Sequence, residues 1–211
     1  MATRKKVRSH DPEGVRRNIV EVATQEFVRL GYSGARVDAI AALTRTSKRM
    51  IYYYFQSKEG LYIAVLEQAY RSIRDVEATL DLAHLSPEAA LKRLVEFTFD
   101  YQNAHPDFIR LVMIENIHHA KHMKRSRAIQ GLNSTVIDAI GRLYARGRAA
   151  KLFRPGLEPI DLHMTISALC FFNVANRATF STIFKRDMAS PHALAARRAE
   201  VVDIVWRYVR L

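Results

Sequence analysis

The sequence predicts an all-α fold, on three observations. Apolar residues recur at three- and four-residue spacing along almost the whole chain. Gly and Pro together number 14 in 211 residues, too few for a loop-rich β protein. No stretch alternates with the two-residue period of a strand. About nine helices are expected. A basic arm spans 1–10, a three-helix domain containing a helix-turn-helix spans 11–57, and a larger helical domain spans 58–211.

Asp11-Pro12-Glu13 is a helix start: an N-cap, proline in the first turn, then an acid near the positive helix end. Ile19, Ala23, Phe27 and Leu30 make its apolar face, and Gly31 ends it. Tyr32-Ser33-Gly34 is a loop, and Arg36 opens a second, short helix. There Ile40 and Leu43 sit three apart, while Ile51 and Phe55 sit four apart on a third helix, so the two helices can share a small core. Between them lies Thr44-Arg45-Thr46-Ser47, with Ser47 placed as an N-cap.

The other side of the third helix carries Lys48, Arg49, Tyr52, Tyr53 and Tyr54. Two cations at its start and three phenols along its body suit a helix lying in a DNA major groove. An ordinary solvated amphipathic helix is the alternative. Ser57 caps a long helix from Lys58, whose free backbone donors and lysine charge would make a phosphate clamp.

Several of these residues also carry a family resemblance. Ile19, Ala23, Phe27, Gly31-Tyr32, Ile40-Ala41, Ser47, the run Ile51-Tyr52-Tyr53-Tyr54-Phe55 and Ser57-Lys58-Glu59-Gly60-Leu61 resemble the DNA-binding domain of the TetR family of bacterial transcriptional regulators. The match is dense over about 14–62 and weaker beyond. It departs at the turn, where the family usually has Gly in place of Arg45 and a hydrophobic residue in place of Thr46. If that turn needs a positive φ, a non-Gly residue costs about 1 kcal/mol. The resemblance implies that Lys48, Arg49 and Met50 face bases while Tyr52, Tyr53 and Lys58 grip the backbone. Tyr54 suits either role; Arg45 could reach a phosphate, and Arg36 could hold one or could equally be an exposed surface arginine.

The long helix continues through Leu61, Val65, Ala69, Ile73, Val76 and Leu80 as one stripe over roughly six turns. Ser86-Pro87 starts the next, with Leu91, Leu94, Val95 and Phe99 on its apolar face. His105-Pro106 starts another, with Phe108, Leu111, Val112 and Ile114. A further helix is expected from about Arg125 to Ala149, broken by Phe153-Arg154-Pro155-Gly156. Pro159 opens one running to about Phe184, and Ser190-Pro191 caps a last one to Tyr208.

Two C-terminal faces are candidates for self-association: Ile166, Leu169, Phe172 and Phe180 with small residues between them, and Leu194, Val201, Val202, Val205, Trp206 and Val209. The resemblance implies a homodimer through a four-helix interface, although both faces can equally complete a monomer core. It also implies a small-molecule effector that releases a palindromic DNA operator. Polar or aromatic residues on otherwise apolar helices are the candidate contacts: Phe99, Tyr101, Asn116, His119, Cys170, Asn173 and Arg177. Satisfied core or surface positions are the alternative for each.

Composition is consistent with this reading. With 49% hydrophobic and 26% charged residues the chain is of the soluble globular kind. Residues 1–60 hold 12 Lys and Arg against 6 Asp and Glu, and the other 151 hold 21 against 15, so positive charge is densest in the first part. Arg4, Lys5, Lys6 and Arg8 form an arm suited to phosphates or a minor groove, or simply a solvated tail.

The single cysteine excludes an internal disulfide, and no apolar core follows the basic start as a signal peptide would need. The most apolar stretch, Leu162 to Phe180, is interrupted by His163, Asn173, Asn176 and Arg177, against a membrane span. A cytoplasmic location is expected. His118 and His122 are spaced for one helical face, but neighbouring Lys and Arg repel a cation, so no metal or cofactor is expected. No nucleophile elbow or Gly-rich phosphate loop is present, so an enzyme is not expected, the alternative being a helical bundle with a site built from distant residues. A sequence-independent DNA-coating protein is the other reading the charge permits.

Overall fold

The computed structural model describes residues 11–211 as two compact units, one ending at Val65 and the other beginning at Leu66. Ten α-helices and one short 3-10 turn make up the described residues, with an isolated antiparallel bridge between Phe153 and Arg210. The basic arm lies outside the described residues.

In the first unit α1 spans Pro12–Gly34, capped by Asp11, whose Oδ1 accepts from the Gly14 N–H at 2.9 Å. Gly31 takes φ 69° inside it, so the regular helix does end where the sequence places its glycine, and one further turn follows. The next helices, α2 (Val37–Thr44) and α3 (Lys48–Phe55), lead into α4 (Lys58–Ala78), whose first two turns belong to this unit. Ile19, Ala23, Phe27, Ile40, Ile51, Leu61 and Tyr62 are fully buried. Phe27, Tyr32 and Tyr62 cluster, with ring centroids 4.8 to 6.2 Å apart.

Two expected core residues are on the surface instead: Leu30 is 41% exposed and Leu43 61%. The buried side of α2 is Val37, Ile40 and Ala41, a narrower stripe than the Ile40–Leu43 pair.

The second unit contains the rest of α4 and α5 (Pro87–Ala104), α6 (Pro106–Ile117), α7 (Arg127–Ala149), α8 (Pro159–Ala175), α9 (Arg177–Phe184) and α10 (Pro191–Val209). Ser86, Ser126 and Ser190 cap α5, α7 and α10 through their side chains. Helix α5 is central, packed by α7, α8 and α10. Leu91, Leu94, Val95 and Phe99 from it meet Val136, Ile140 and Leu143 of α7, Leu162, Ile166 and Cys170 of α8, and Val201, Val205 and Val209 of α10.

Phe153, fully buried, lies against Gly147, where a Cβ would fall 2.0 Å from its ring. Helix α4 ends at Ala78 and Val76 on its expected stripe is exposed, while Leu80, just past the helix end, still packs against the core. The expected single helix from Pro159 is two helices, interrupted at Asn176. Among the described residues no helix is long and apolar enough to cross a membrane.

Candidate nucleic-acid interface

The turn between α2 and α3 is made by Arg45 in the left-handed region, at φ 53° and ψ 32°. Its N–H donates to the Ala42 carbonyl at 3.3 Å and the Thr46 N–H to the Ala41 carbonyl at 3.1 Å. These paired bonds satisfy two carbonyls at the end of α2, as in a glycine-terminated helix. The turn therefore keeps the backbone that favours glycine without having one.

Ser47 then caps α3, its Oγ accepting from the Met50 N–H at 3.2 Å. With Ile51 and Phe55 buried, helical spacing forces Lys48, Arg49, Tyr52 and Tyr53 outward, and all four are exposed. Met50 and Tyr54 are half-buried, the Tyr54 ring lying between those of Tyr53 and Phe55. The buried Phe55 ring lies 5.5 Å beneath the Arg16 guanidinium.

The helix ends on Gln56, also at positive φ, whose N–H donates to the Tyr52 carbonyl at 2.8 Å. Ser57 Oγ accepts from the Gly60 N–H at 2.9 Å and so caps α4. Lys58 reaches back to the loop after α1: its Nζ donates to the Ser33 carbonyl at 3.3 Å and lies 4.8 Å from the centre of the Tyr32 ring. Partial burial lowers its pKa. Arg36 is exposed on the extended residue before α2.

One participant has no sequence signal. Asp38 Oδ1 lies 2.9 Å from Lys48 Nζ, although the two are ten residues apart on different helices. The hydrogen bond from Lys48 lowers the Asp38 pKa, and the same bond raises that of Lys48. The exposed end of α3 is therefore an acid–base pair beside Arg49, with Arg36 and Arg45 nearby in sequence. Such a surface can meet a polyanion through its cations and present phenol and amine donors to base edges.

The expected effector contacts do not gather in one place. Phe99 and Cys170 are buried in the main core of the second unit, and burial pushes the Cys170 thiol up to about 12. Tyr101 is buried with Ile73 and Phe97, its ring stacked 4.0 Å from His105. Asn116 and His119 are on the surface around the end of α6. That helix stops at Ile117, so His118 and His122 do not share a helical face.

Asn173 and Arg177 are brought together by Asn103, which sequence reasoning missed. The Asn103 Oδ1 accepts from Asn173 at 2.9 Å and from the Arg177 guanidinium. Among the described residues, two cavities bear on these contacts. One, of about 520 Å³, lies between α4, α5 and α7 and is lined by none of the expected residues. The other, of about 490 Å³, lies among α8, α9 and α10 and includes Asn173.

A capped α3 displayed by a three-helix head, ahead of a separate helical unit, defines the helix-turn-helix transcription regulators. Comparison with known proteins narrows the class. Residues 19–65 match the family of bacterial regulatory proteins, TetR family, and residues 87–205 match the tetracycline repressor-like C-terminal domain. The chain is 36% identical over the full length of both proteins to the HTH-type transcriptional repressor NicS of Pseudomonas putida. It is 36% identical over 109 residues, 52% of this chain and 53% of the other, to the transcriptional repressor SCO4008 of Streptomyces coelicolor.

Among solved structures it is similar to the putative transcriptional regulator SCO4942 from Streptomyces coelicolor, at TM-score 0.70 and 30% identity, covering 92% of this chain and 98% of that one. The chain belongs to the TetR family of transcriptional regulators. That membership, rather than any missing motif, sets the enzyme reading aside.

Proposed function

We propose that the chain is a repressor that binds a two-fold symmetric operator in double-stranded DNA as a homodimer and releases it when a small-molecule effector occupies the helical unit. The observation that carries this reading is the outward face of α3, with Lys48, Arg49, Tyr52 and Tyr53 exposed above a buried Ile51 and Phe55. In this reading Lys48, Arg49 and Met50 meet base edges. Tyr52, Tyr53, Lys58, Arg36 and Arg45 hold the phosphate backbone, with Tyr54 at the margin and Ser47 as the cap. Repression, rather than activation, takes support from the 36% identical relative, which is named a repressor.

Dimerisation is supported by apolar side chains left on the surface. Ile160, Met164 and Phe172 follow one stripe of α8, and Ile204 and Tyr208 one stripe of α10. Exposed stripes of this kind mark a contact surface. Ile166, Val201, Val205 and Val209, which the sequence also offered for this role, are instead core residues of the monomer. A dimer presents two heads, which can enter successive major grooves about 34 Å apart. The place of action is the cytoplasm.

Selection of bound fragments from genomic DNA tests the reading. A preferred site with two inverted halves, bound by a dimer at physiological salt, is expected. A monomer that binds every duplex equally would refute it.

A further inference from the structure

We propose that the cavity between α4, α5 and α7 is the effector site and that it takes a monocarboxylic acid with a compact apolar body. This inference rests on the ligand-responsive reading above and adds the chemical class of the ligand.

The cavity holds about 520 Å³, within the range of small-molecule sites. Its floor is apolar: Leu94, Val136, Ile140 and Leu143. Its charged lining is Arg74, Arg142 and Arg146 against Glu77 and Asp81, which leaves one positive charge in excess.

The three arginines are not equivalent. Arg146 is committed, donating to the Leu82 carbonyl at 2.9 Å and to that of Leu85. Arg74 has a buried side chain that pairs through Nη1 with Glu77 on the next turn, while its buried Nε–H has no acceptor. Arg142 is exposed and makes no hydrogen bond or ion pair among the described residues.

A buried guanidinium edge with an unused donor, beside a second uncommitted guanidinium, is a receptor for a planar carboxylate. Asp81 is exposed, 3.6 Å from His84, and leaves these two arginines to the ligand. Glu77 already neutralises part of Arg74 through their ion pair, so a second negative charge on the ligand would find no further cation to meet it. The single excess charge and the apolar floor together select a monoacid.

The test uses the full-length dimer on its selected operator. Benzoate, phenylacetate, hexanoate and octanoate are each paired with the neutral amide of the same skeleton, and benzylamine serves as a cation. At least one acid is expected to raise the melting temperature and release DNA while its amide does neither. Arg142→Gln is expected to weaken that acid about tenfold, the loss of one charge-assisted hydrogen bond, with operator affinity unchanged. Arg74→Met is expected to abolish the response, and Arg142→Gln keeps the test decisive if Arg74→Met does not fold.

Acids and amides acting alike, no acid acting at all, or full acid response in Arg142→Gln would each overturn the assignment. If a neutral or cationic compound releases the operator instead, the charge assignment fails but ligand control stands. A dimer that binds no preferred site would overturn the reading beneath it.

Discussion

Lys48 Nζ lies 2.9 Å from Asp38 Oδ1, a bridge from the first turn of α3 to the first turn of α2. Both groups are solvated, so the pair adds little to folding. On the proposed reading its effect is on recognition, because a lysine paired with a carboxylate is not free to slide along phosphates.

Asp38→Asn is therefore expected to leave thermal stability nearly unchanged and to raise affinity for random duplex. The salt dependence of that binding should steepen by about one counterion as Lys48 joins the phosphate contacts. Binding titrations across salt concentrations read this, and an unaltered slope would refute it.

Tyr53 and Lys58 separate contact from charge. Lys58→Ala should weaken binding to all sequences and flatten the salt slope by about one, whereas Tyr53→Ala should weaken it with the slope kept. Lys48→Ala should change which bases are preferred. Equal loss of preference in all three would remove the division between base and backbone contacts.

Arg45 occupies the left-handed region, which costs an L-residue about 1 kcal/mol or more. Arg45→Gly is expected to raise the stability of the head by about 0.5 to 1 kcal/mol while lowering DNA affinity through the lost cation. Chemical denaturation followed by a probe in the head measures the first and binding the second. A destabilised variant would mean that the arginine side chain supports the turn.

Gly60 stands where a Cβ would fall 2.1 Å from the Phe55 carbonyl oxygen. Gly60→Ala must push α4 away from the end of α3, at a cost of about 1 to 3 kcal/mol. The expected outcome is lost operator binding with the helical unit still folded, read by circular dichroism beside a binding assay.

His163 has its pKa lowered below the ordinary 6.5, first by burial and then by the nearby Arg74 charge. The folded chain thus binds its proton more weakly than the unfolded chain. Its contribution to stability is complete above 6.5 and is lost as pH falls from there through the lower folded value. His163→Gln should flatten the change in denaturation midpoint between about pH 7.5 and 5.5. An unchanged difference would place the acid sensitivity elsewhere.

What the sequence revealed was local. Asp11, Ser47, Ser57, Ser86 and Ser190 each act within three or four residues, and each caps the helix expected of it. The outward face of α3 follows from spacing alone once Ile51 and Phe55 are inside. The α8–α9 interruption was hidden because no glycine or proline marks it. It lies where Asn103, more than seventy residues away, holds Asn173 and Arg177 on either side of Asn176.

Leu43 looks like core by periodicity, yet the two-turn α2 can bury only one narrow stripe; Leu30, on the long α1, is exposed beside Gly31, where the regular helix ends. The large cavity was not legible because Arg74, Leu94 and Arg142 meet only when three separated helices pack. Asp38 was missed for the same reason: an acid at a helix start has a sufficient local explanation in the helix dipole.

The Phe27–Tyr32–Tyr62 ring cluster and the Lys58 hold on Ser33 all lie within the first 65 residues. The reader is thus a portable part that carries its own fastenings. On the proposed reading, splicing it at Val65 onto the second unit of a relative would carry its DNA preference along and put that preference under another ligand's control.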